Sequence, residues 1–149
     1  MSRVDGLLEP RVLAFLARRR VAHLATADER GRPHVVPVCF GLVGATVYSA
    51  IDEKPKRGEP RRLRRLRNVV ANPRAALVAD VYDDRDWARL GFVLLQGQAR
   101  VVEPPGQEHA AAVRSLRERY PQYQHMALDE RPVLALDVER VSTWGELGG

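Results

Sequence analysis

A block of basic side chains near the middle of the chain is the strongest chemical signal in the sequence. Between positions 54 and 67 the only acidic residue is Glu59, and the basic residues are Lys54, Lys56, Arg57, Arg61, Arg62, Arg64, Arg65 and Arg67. The guanidinium group of arginine is a planar fork that donates two parallel hydrogen bonds, which suits a phosphate group. Such a block requires an anionic partner or full solvation, and its composition is compatible with both.

The second half of this block has the spacing of a short helix over 61–71. Leu63, Leu66 and Val70 recur at helical intervals and predict a buried stripe, and Asn72-Pro73 predicts the end of the helix. Residues three and four apart on a helix share one face. The polar residues at such intervals are Arg61, Arg64, Arg65 and Asn68. The pattern therefore predicts a positively charged shelf whose apolar side is docked on the rest of the protein.

The sequence offers neither a metal centre nor a self-sufficient catalytic set. No two of its histidines stand at a helical i, i+4 interval, and none lies at a zinc-type spacing from Cys39. Cys39 is flanked by apolar residues in a predicted strand, where a buried structural thiol is usual. A Walker-type phosphate loop is absent. We therefore expect a bound cofactor to supply any redox chemistry.

Composition disfavours nucleic acid and membranes as partners. A basic helix could follow a nucleic-acid backbone, but aromatic residues are only 6% of the chain and none lies among the arginines to stack on bases. The sequence contains no run of about 18 apolar residues, so no membrane helix is predicted. Its N-terminus lacks the apolar stretch of a signal peptide. The one cysteine cannot form an internal disulfide. These features predict a cytoplasmic location.

The alternation of apolar runs and turn residues predicts one domain over 1–149 that is mainly β. Six strands are expected, at 21–27, 34–42, 46–51, 75–81, 91–102 and 132–141. Helices are expected at 9–20, 61–71 and 107–120, and a tail at 142–149. Short strands joined by tight turns favour an antiparallel meander that closes into a small barrel with flanking helices.

Three stretches carry a resemblance to a known family. Residues 24–38, LATADERGRPHVVPV, resemble the first hairpin of the pyridoxamine 5′-phosphate oxidase-like split-barrel family. Residues 64–68 and then 71–77 resemble that family's phosphate-binding helix and the strand after it. Residues 48–56, YSAIDEKPK, are similar to a subgroup that depends on the deazaflavin coenzyme F420.

The resemblance implies a six-stranded antiparallel split β-barrel that works as a homodimer, with two cofactors at the subunit interface. Arg64 and Arg65 would hold the cofactor phosphate, and Asn68 would support them. The residues that would lie along the ring system or line the groove beside it are Val36, Pro37, Val38, Ser49, Ala50 and Ile51. Further positive charge near the phosphate or a cofactor tail would come from Lys54, Lys56 and Arg61.

Two tryptophans are candidates to close the implied pocket, and the second subunit could supply them. They are Trp87 and Trp144. A purely structural interpretation is open for several of these residues, in which Trp144 anchors the tail and Val36 and Val38 belong to the core.

The excess of positive charge bears on the identity of the cofactor. FMN has one terminal phosphate, whereas F420 has a phosphodiester followed by a polyglutamate tail. Extra basic residues such as Arg57, Arg61 and Arg62 would pair with the tail carboxylates, which favours F420 and leaves FMN open. We therefore expect a reductase that transfers a hydride between reduced deazaflavin and a small organic substrate. The alternatives are an FMN-dependent oxidoreductase of the same fold and a non-catalytic flavin- or haem-binding carrier.

Overall fold

The computed structural model describes residues 8–51 and 62–148, which form seven β-strands and three α-helices. The strands are β1 (Ala22–Ala27), β2 (Pro33–Val38), β3 (Gly41–Val43), β4 (Thr46–Ala50), β5 (Arg74–Val81), β6 (Gly91–Val102) and β7 (Val133–Gly145). The helices are α1 (Pro10–Ala17), α2 (Arg64–Ala71) and α3 (Gln107–Arg119), with short 3₁₀ helices at Trp87–Arg89 and Pro121–His125. None of the described helices is long and apolar enough to span a membrane. The prediction of a mainly β protein with three helices is confirmed.

The seven strands form one antiparallel sheet in the order β2-β1-β5-β6-β7-β4-β3. Its two edges, β2 and β3, are consecutive in the chain, and only Cys39 and Phe40 connect them. A linker of that length spans roughly 11 Å. The sheet must therefore curl strongly enough to bring its two edges near each other. This curvature gives it the shape of a half-barrel.

The two faces of the curled sheet have different environments. The inner face packs with α1 and α2 around a core that includes Phe15, Leu66 and Leu95. On the outer face, α3 packs on β3, β4 and the start of β7, with Leu116 and Ala135 fully buried. Over β1, β2 and β5, no helix among the described residues covers the outer face.

The expectation of six strands is wrong, because the predicted strand 34–42 is two strands. β2 pairs with β1, whereas β3 pairs with β4 at the other edge. Between them the backbone N–H of Phe40 donates to the Tyr120 hydroxyl at 3.0 Å, and that hydroxyl lies 3.1 Å from the Phe40 carbonyl oxygen. A side chain from the end of α3 thus replaces the strand partner of Phe40. Cys39, expected within a strand, lies in this connection and is half-buried.

The last strand is also longer than expected. Residues 142–145, assigned to a tail, continue β7, and Phe92 faces Trp144 in the β6–β7 pairing. The register shifts at Gly97, opposite which β7 carries an extra residue, Glu139. A Cβ atom at Gly97 would overlap the carbonyl oxygen of Asp137, so this β-bulge requires glycine. Strand 91–102, predicted with an interruption at Gly97, is confirmed with the same bounds.

Candidate cofactor-binding site

The helix that carries the basic block docks on the inner face of the sheet through a different stripe from the one predicted. Leu66 and Val69 are buried, with 1% and 3% of their surface exposed, whereas Val70 is 77% exposed. The prediction of Leu66 as a docking residue is confirmed, and that of Val70 is wrong. α2 begins at Arg64 and is only two turns long. Its buried face is the one that contacts β1 and β6.

Two asparagines fix α2 to the first hairpin. Asn68 is buried and donates from Nδ2 to the Thr26 hydroxyl at 3.0 Å. One turn later, Asn72 donates from Nδ2 to the carbonyl oxygen of Asp28 at 3.2 Å. Asn68 and Asn72 are four residues apart and therefore lie on the same side of the helix. Asn68, expected to support the predicted phosphate ligands Arg64 and Arg65, binds Thr26 instead and thereby fixes α2 to β1.

The turn after β1 is held by the carboxylate of Asp28. Its Oδ1 accepts hydrogen bonds from the backbone N–H groups of Arg30 and Arg32, each at 2.9 Å, and its Oδ2 accepts from Arg32 Nε at 2.6 Å. The hydrogen bonds from the Arg32 backbone and side chain hold the pKa of Asp28 below its usual range. Gly31, at φ 78°, completes the predicted turn. Asn72 binds a hairpin that is already rigid.

The first turn of α2 is positively charged. It contains Arg64, which is exposed, and Arg65, which is half-buried, and no acidic residue. Arg65 lies three residues before Asn68 and so on the side of the helix that faces the hairpin. In the parts of the chain that the structure describes, no carboxylate pairs with Arg62, Arg64 or Arg67. The partial positive charge of a helix N-terminus adds to that of the guanidinium groups, and together they favour an anion.

Three predicted basic ligands cannot be placed. Lys54, Lys56 and Arg61 fall in 52–61, outside the described residues. Their role in binding a phosphate or a tail stays a prediction.

The predicted ring-binding residues of β2 divide between the two faces of an edge strand. Val36 and Val38 face inward and pack on the core, which agrees with the structural interpretation of their side chains. Pro37 points to the outer face and is exposed. Among the strands of the described residues β2 pairs only with β1, so in that sheet part of the β2 backbone has no strand partner.

His34, on the inward side of the same edge strand, was not predicted to take part. It faces Thr26 in the β1–β2 pairing, beside the Asn68 contact. Its Nδ1 is buried and has no hydrogen-bond partner among the described residues. Nothing in the spacing of the histidines distinguishes His34, since its position depends on the α2–hairpin contact.

Ser49, Ala50 and Ile51 are all buried, with 3%, 5% and 3% of their surface exposed. Ser49 faces inward with Val47, and Ile51 packs in the inner core, whereas Ala50 lies against α3 on the other face. Side chains that alternate between faces cannot all line one groove. Within one chain, Ala50 therefore cannot share a wall with Ser49 and Ile51.

The two tryptophans lie at the same end of the sheet. Trp87 is 69% exposed in the 3₁₀ turn before β6, and Trp144 is 56% exposed and stacked on Phe92 with a centroid distance of 6.0 Å. The two segments are joined where Glu146 N–H donates to the carbonyl oxygen of Leu90 at 2.9 Å. Both tryptophans are thus exposed at this end of the sheet, and Trp144 is held by its strand rather than by a tail.

One chain does not bring all the predicted site residues together. Ala50 pairs with Val133 at the start of β7, and Trp144 is near its end. At roughly 3.3 Å per residue, about 36 Å of strand separates these two positions. The arginine turn and the edge strand β2 do share the hairpin side of the barrel, where α2 contacts β1. A search of the described residues finds no group of three or more histidine, cysteine, aspartate or glutamate side chains placed to bind a metal ion.

The sequence matches a known protein family over most of its length. Residues 8–145 match the sequence model of the pyridoxamine 5′-phosphate oxidase family. The chain is 31% identical over 133 residues to a 5a,11a-dehydrotetracycline/5a,11a-dehydrooxytetracycline reductase of Streptomyces rimosus, which covers 89% of this chain and 80% of the reductase.

Solved structures show the same fold. A haem-binding protein from Mycobacterium smegmatis superposes with a TM-score of 0.72 at 23% identity, over 100% of this chain and 56% of that one. A haem storage protein from Vibrio cholerae superposes with a TM-score of 0.68 at 20% identity, over 93% of this chain and 94% of that one. The match over residues 8–145 and the 31% identity to the reductase show that the chain belongs to the pyridoxamine 5′-phosphate oxidase family.

Proposed function

We propose that this protein is an F420-dependent reductase, which transfers a hydride between reduced deazaflavin and a small organic substrate. FMN is the alternative cofactor within the same fold. The observation that carries the proposal is the positively charged first turn of α2, held against the first hairpin by Asn68 and Asn72. The identity to a reductase supports the same class of reaction.

The residues of this turn fit a phosphate group. Two guanidinium groups, those of Arg64 and Arg65, lie in the first turn of α2, which contains no acidic side chain. The unpaired edge of β2 offers backbone groups to a polar ring alongside. The chemistry supplied by the bound cofactor would be hydride transfer, so the protein has to orient two partners and exclude water. The exposed rings of Trp87 and Trp144 would exclude water.

The preference for F420 rests on charge. Its tail carries carboxylates that FMN lacks, and Arg62 and Arg67 are further cations with no carboxylate partner in the described regions. Arg57, Arg61, Lys54 and Lys56 would extend this basic rim. The dehydrotetracycline reduced by the Streptomyces relative is a first compound to test as substrate.

A second copy of the chain is the proposed partner, docked on the uncovered outer face. Large apolar side chains there are exposed, including Val21, Val35 and Trp144. Large apolar side chains exposed on one face of a sheet are typical of an interface. Residues that lie far apart in one chain, such as Ala50 and Trp144, could then contribute to one site from different subunits. The cytoplasmic location expected from the sequence stays a prediction.

The proposal is tested by titrating the purified protein with F420 and, separately, with FMN, and following the fluorescence of the cofactor. We expect saturable binding at micromolar concentrations, tighter for F420. Arg65→Ala should weaken binding by about 10- to 100-fold, because a hydrogen bond to a charged group contributes roughly 1.5–3 kcal/mol. Arg114→Ala, which removes an exposed arginine from α3, is the matched control and should leave the affinity unchanged.

Three results would contradict the proposal. If neither cofactor binds, the oxidoreductase function fails. If Arg65→Ala and Arg114→Ala weaken binding equally, the phosphate lies elsewhere. If the protein instead takes up haem, with the haem absorption band, and does not reduce any substrate with reduced F420 or FMN, the carrier function replaces the reductase function.

A further inference from the structure

His34 has one ring nitrogen enclosed by the protein and the other at its surface. The residue lies on the inward side of β2 and is half-buried. Its Nδ1 is buried and has no hydrogen-bond partner among the described residues. Its Nε2 has no partner among them either, but it is not enclosed. Nε2 is therefore the polar atom that the ring can offer to a ligand.

The enclosed Nδ1 determines where the imidazole carries its proton. In the neutral ring one nitrogen is a hydrogen-bond donor and the other is an acceptor. A buried N–H group without an acceptor is rarer in proteins than an acceptor whose lone pair is unused. The tautomer with the proton on Nε2 is therefore favoured, which makes His34 a hydrogen-bond donor at the surface.

The strand register places this donor beside α2. His34 lies directly opposite Thr26 in the β1–β2 pairing, and the Cβ atoms of directly opposed residues are about 5 Å apart. Thr26 in turn accepts the hydrogen bond from Asn68 of α2. Arg65, three residues before Asn68, lies on the same side of the helix. His34 is thus next to the contact that fixes the arginine turn to the sheet.

The local charges favour an anion between His34 and the arginine turn. The first turn of α2 contains no acidic residue. The carboxylate of Asp28, just after β1, already accepts hydrogen bonds from Arg30 and Arg32. On the two sides of the contact between α2 and β1 there are therefore donors, an Nε2–H group and guanidinium groups, and a phosphate group accepts from both.

We propose that His34 is a further ligand of the cofactor phosphate, to which it donates a hydrogen bond from Nε2. The inference rests on the phosphate site proposed at Arg64 and Arg65, and it adds to that site a residue from the edge strand β2. Because the arginines belong to a helix and His34 to a strand, the phosphate is held from two elements. His34 then makes the site selective for phosphorylated flavins over unphosphorylated ones.

The test compares each cofactor with its phosphate-free counterpart. FMN is paired with riboflavin, and F420 with the deazaflavin whose ribityl chain ends in a free hydroxyl. His34→Leu should weaken binding of the phosphorylated compound by about tenfold or more, as expected for a hydrogen bond to a charged group, and leave the affinity of its counterpart unchanged. His125→Leu, which removes an exposed histidine from the second 3₁₀ helix, is the matched control and should leave every affinity unchanged.

Two conservative variants identify the nitrogen that acts. The amide nitrogen of glutamine can take the place of Nε2, and that of asparagine can take the place of Nδ1. His34→Gln should therefore restore most of the affinity for the phosphorylated cofactor, whereas His34→Asn should not. A role of His34 in packing alone would not produce this difference.

NMR of the imidazole nitrogens in the full-length protein follows the ring directly. With the His34 signal assigned from the His34→Gln spectrum, we expect the tautomer protonated on Nε2. Inorganic phosphate, added at constant ionic strength, should shift this signal saturably, and Arg65→Ala should weaken the response.

These measurements separate the failure of this proposal from that of the proposed function. If FMN or F420 binds, but His34→Leu weakens binding of the phosphate-free compound equally or His34→Gln restores nothing, the role of His34 is overturned and the cofactor site stands. If neither cofactor binds while phosphate still shifts the His34 signal, the cofactor proposal fails and the role of His34 in binding phosphate is supported. If neither cofactor binds and phosphate leaves the signal unchanged, both proposals are overturned.

Discussion

Helices α2 and α3 are docked on the same sheet by different kinds of polar contact. At α2 the contacts are neutral: Asn68 binds Thr26, and Asn72 binds the backbone of Asp28. At α3 they are ionic. Arg100 of β6 forms hydrogen bonds of 2.6 and 2.8 Å to Glu108 of α3 and of 2.7 and 3.0 Å to Asp137 of β7.

The ionic junction is completed by two hydroxyl groups. Tyr48 donates to Glu108 at 2.7 Å, and Thr46 donates to Asp137 at 2.9 Å. Burial, and after it the hydrogen bond to Glu108, raises the pKa of Tyr48 to about 12, so its hydroxyl stays protonated as a donor. Hydrogen bonds to both carboxylates likewise raise the pKa of Arg100 above its usual value.

The difference between the neutral contacts at α2 and the ionic contacts at α3 indicates which arginines are available to a ligand. Arg100 is already engaged by two carboxylates, and a second anion would have to displace them. Because asparagines dock α2, its exposed arginines are not needed to hold the helix in place. An abundance of arginine is therefore informative only after the acidic partners have been located. By that criterion Arg64 and Arg67 of α2, which have no carboxylate partner among the described residues, are available, whereas Arg100 at the α3 junction is structural.

The largest expected effect compares the apolar anchors of the two helices. Leu66→Ala on α2 and Leu116→Ala on α3 each leave a cavity at a side chain that is at most 1% exposed. Each should lower the free energy of unfolding by about 2–5 kcal/mol, measured by urea denaturation. At a temperature where both variants remain folded, only Leu66→Ala should weaken cofactor binding, because only α2 carries the arginine turn.

Circular dichroism at the titration temperature serves as the control for folding of both variants. Equal loss of cofactor affinity in Leu66→Ala and Leu116→Ala would mean that the site depends on the whole barrel rather than on α2. The comparison between the two helices would then lose its functional meaning.

Local patterns in the sequence predicted most elements of the fold. The alternation in 91–102 and the helical spacing over 107–120 identified β6 and α3 to within a residue. The break at Phe40 could not be predicted, because it depends on a hydroxyl contributed by Tyr120, which lies far along the chain. A run of apolar residues contains no information about which edge of the sheet each half will join.

The candidate site was harder to predict than the fold. The position of the basic block on a helix was recognisable, but which residues face inward was not, since Val69 and Val70 are equally apolar. The docking role of Asn68 depends on the distance to Thr26, which only the packed structure defines. The β-bulge at Gly97 likewise depends on the register between β6 and β7.

A smaller effect is expected when the ionic junction loses its central cation. Arg100→Met leaves Glu108 and Asp137 close together with no positive charge between them. Because all three side chains are partly exposed, we expect a loss of about 1–2 kcal/mol in the free energy of unfolding. Cofactor affinity should not change. Arg114→Met, which removes an exposed arginine from α3, should alter stability by less than about 0.5 kcal/mol.

The smallest expected effect is the pH dependence of the ionic junction. Hydrogen bonds from Arg100 hold the pKa values of Glu108 and Asp137 below their usual range. In the unfolded chain these carboxyls bind protons near pH 4. As the pH falls through that region, the unfolded state takes up more protons than the folded state, and the free energy of unfolding decreases. The junction's contribution to the free energy of unfolding is thus complete above about pH 5 and lost progressively below pH 4.

Urea midpoints measured from pH 7 to pH 3 should fall more steeply for the wild-type protein than for Arg100→Met. Asn68→Ala, which alters the neutral contact between α2 and β1, should keep the wild-type slope. A steeper decline in Arg100→Met than in the wild type would show that Glu108 and Asp137 are not held ionised by Arg100.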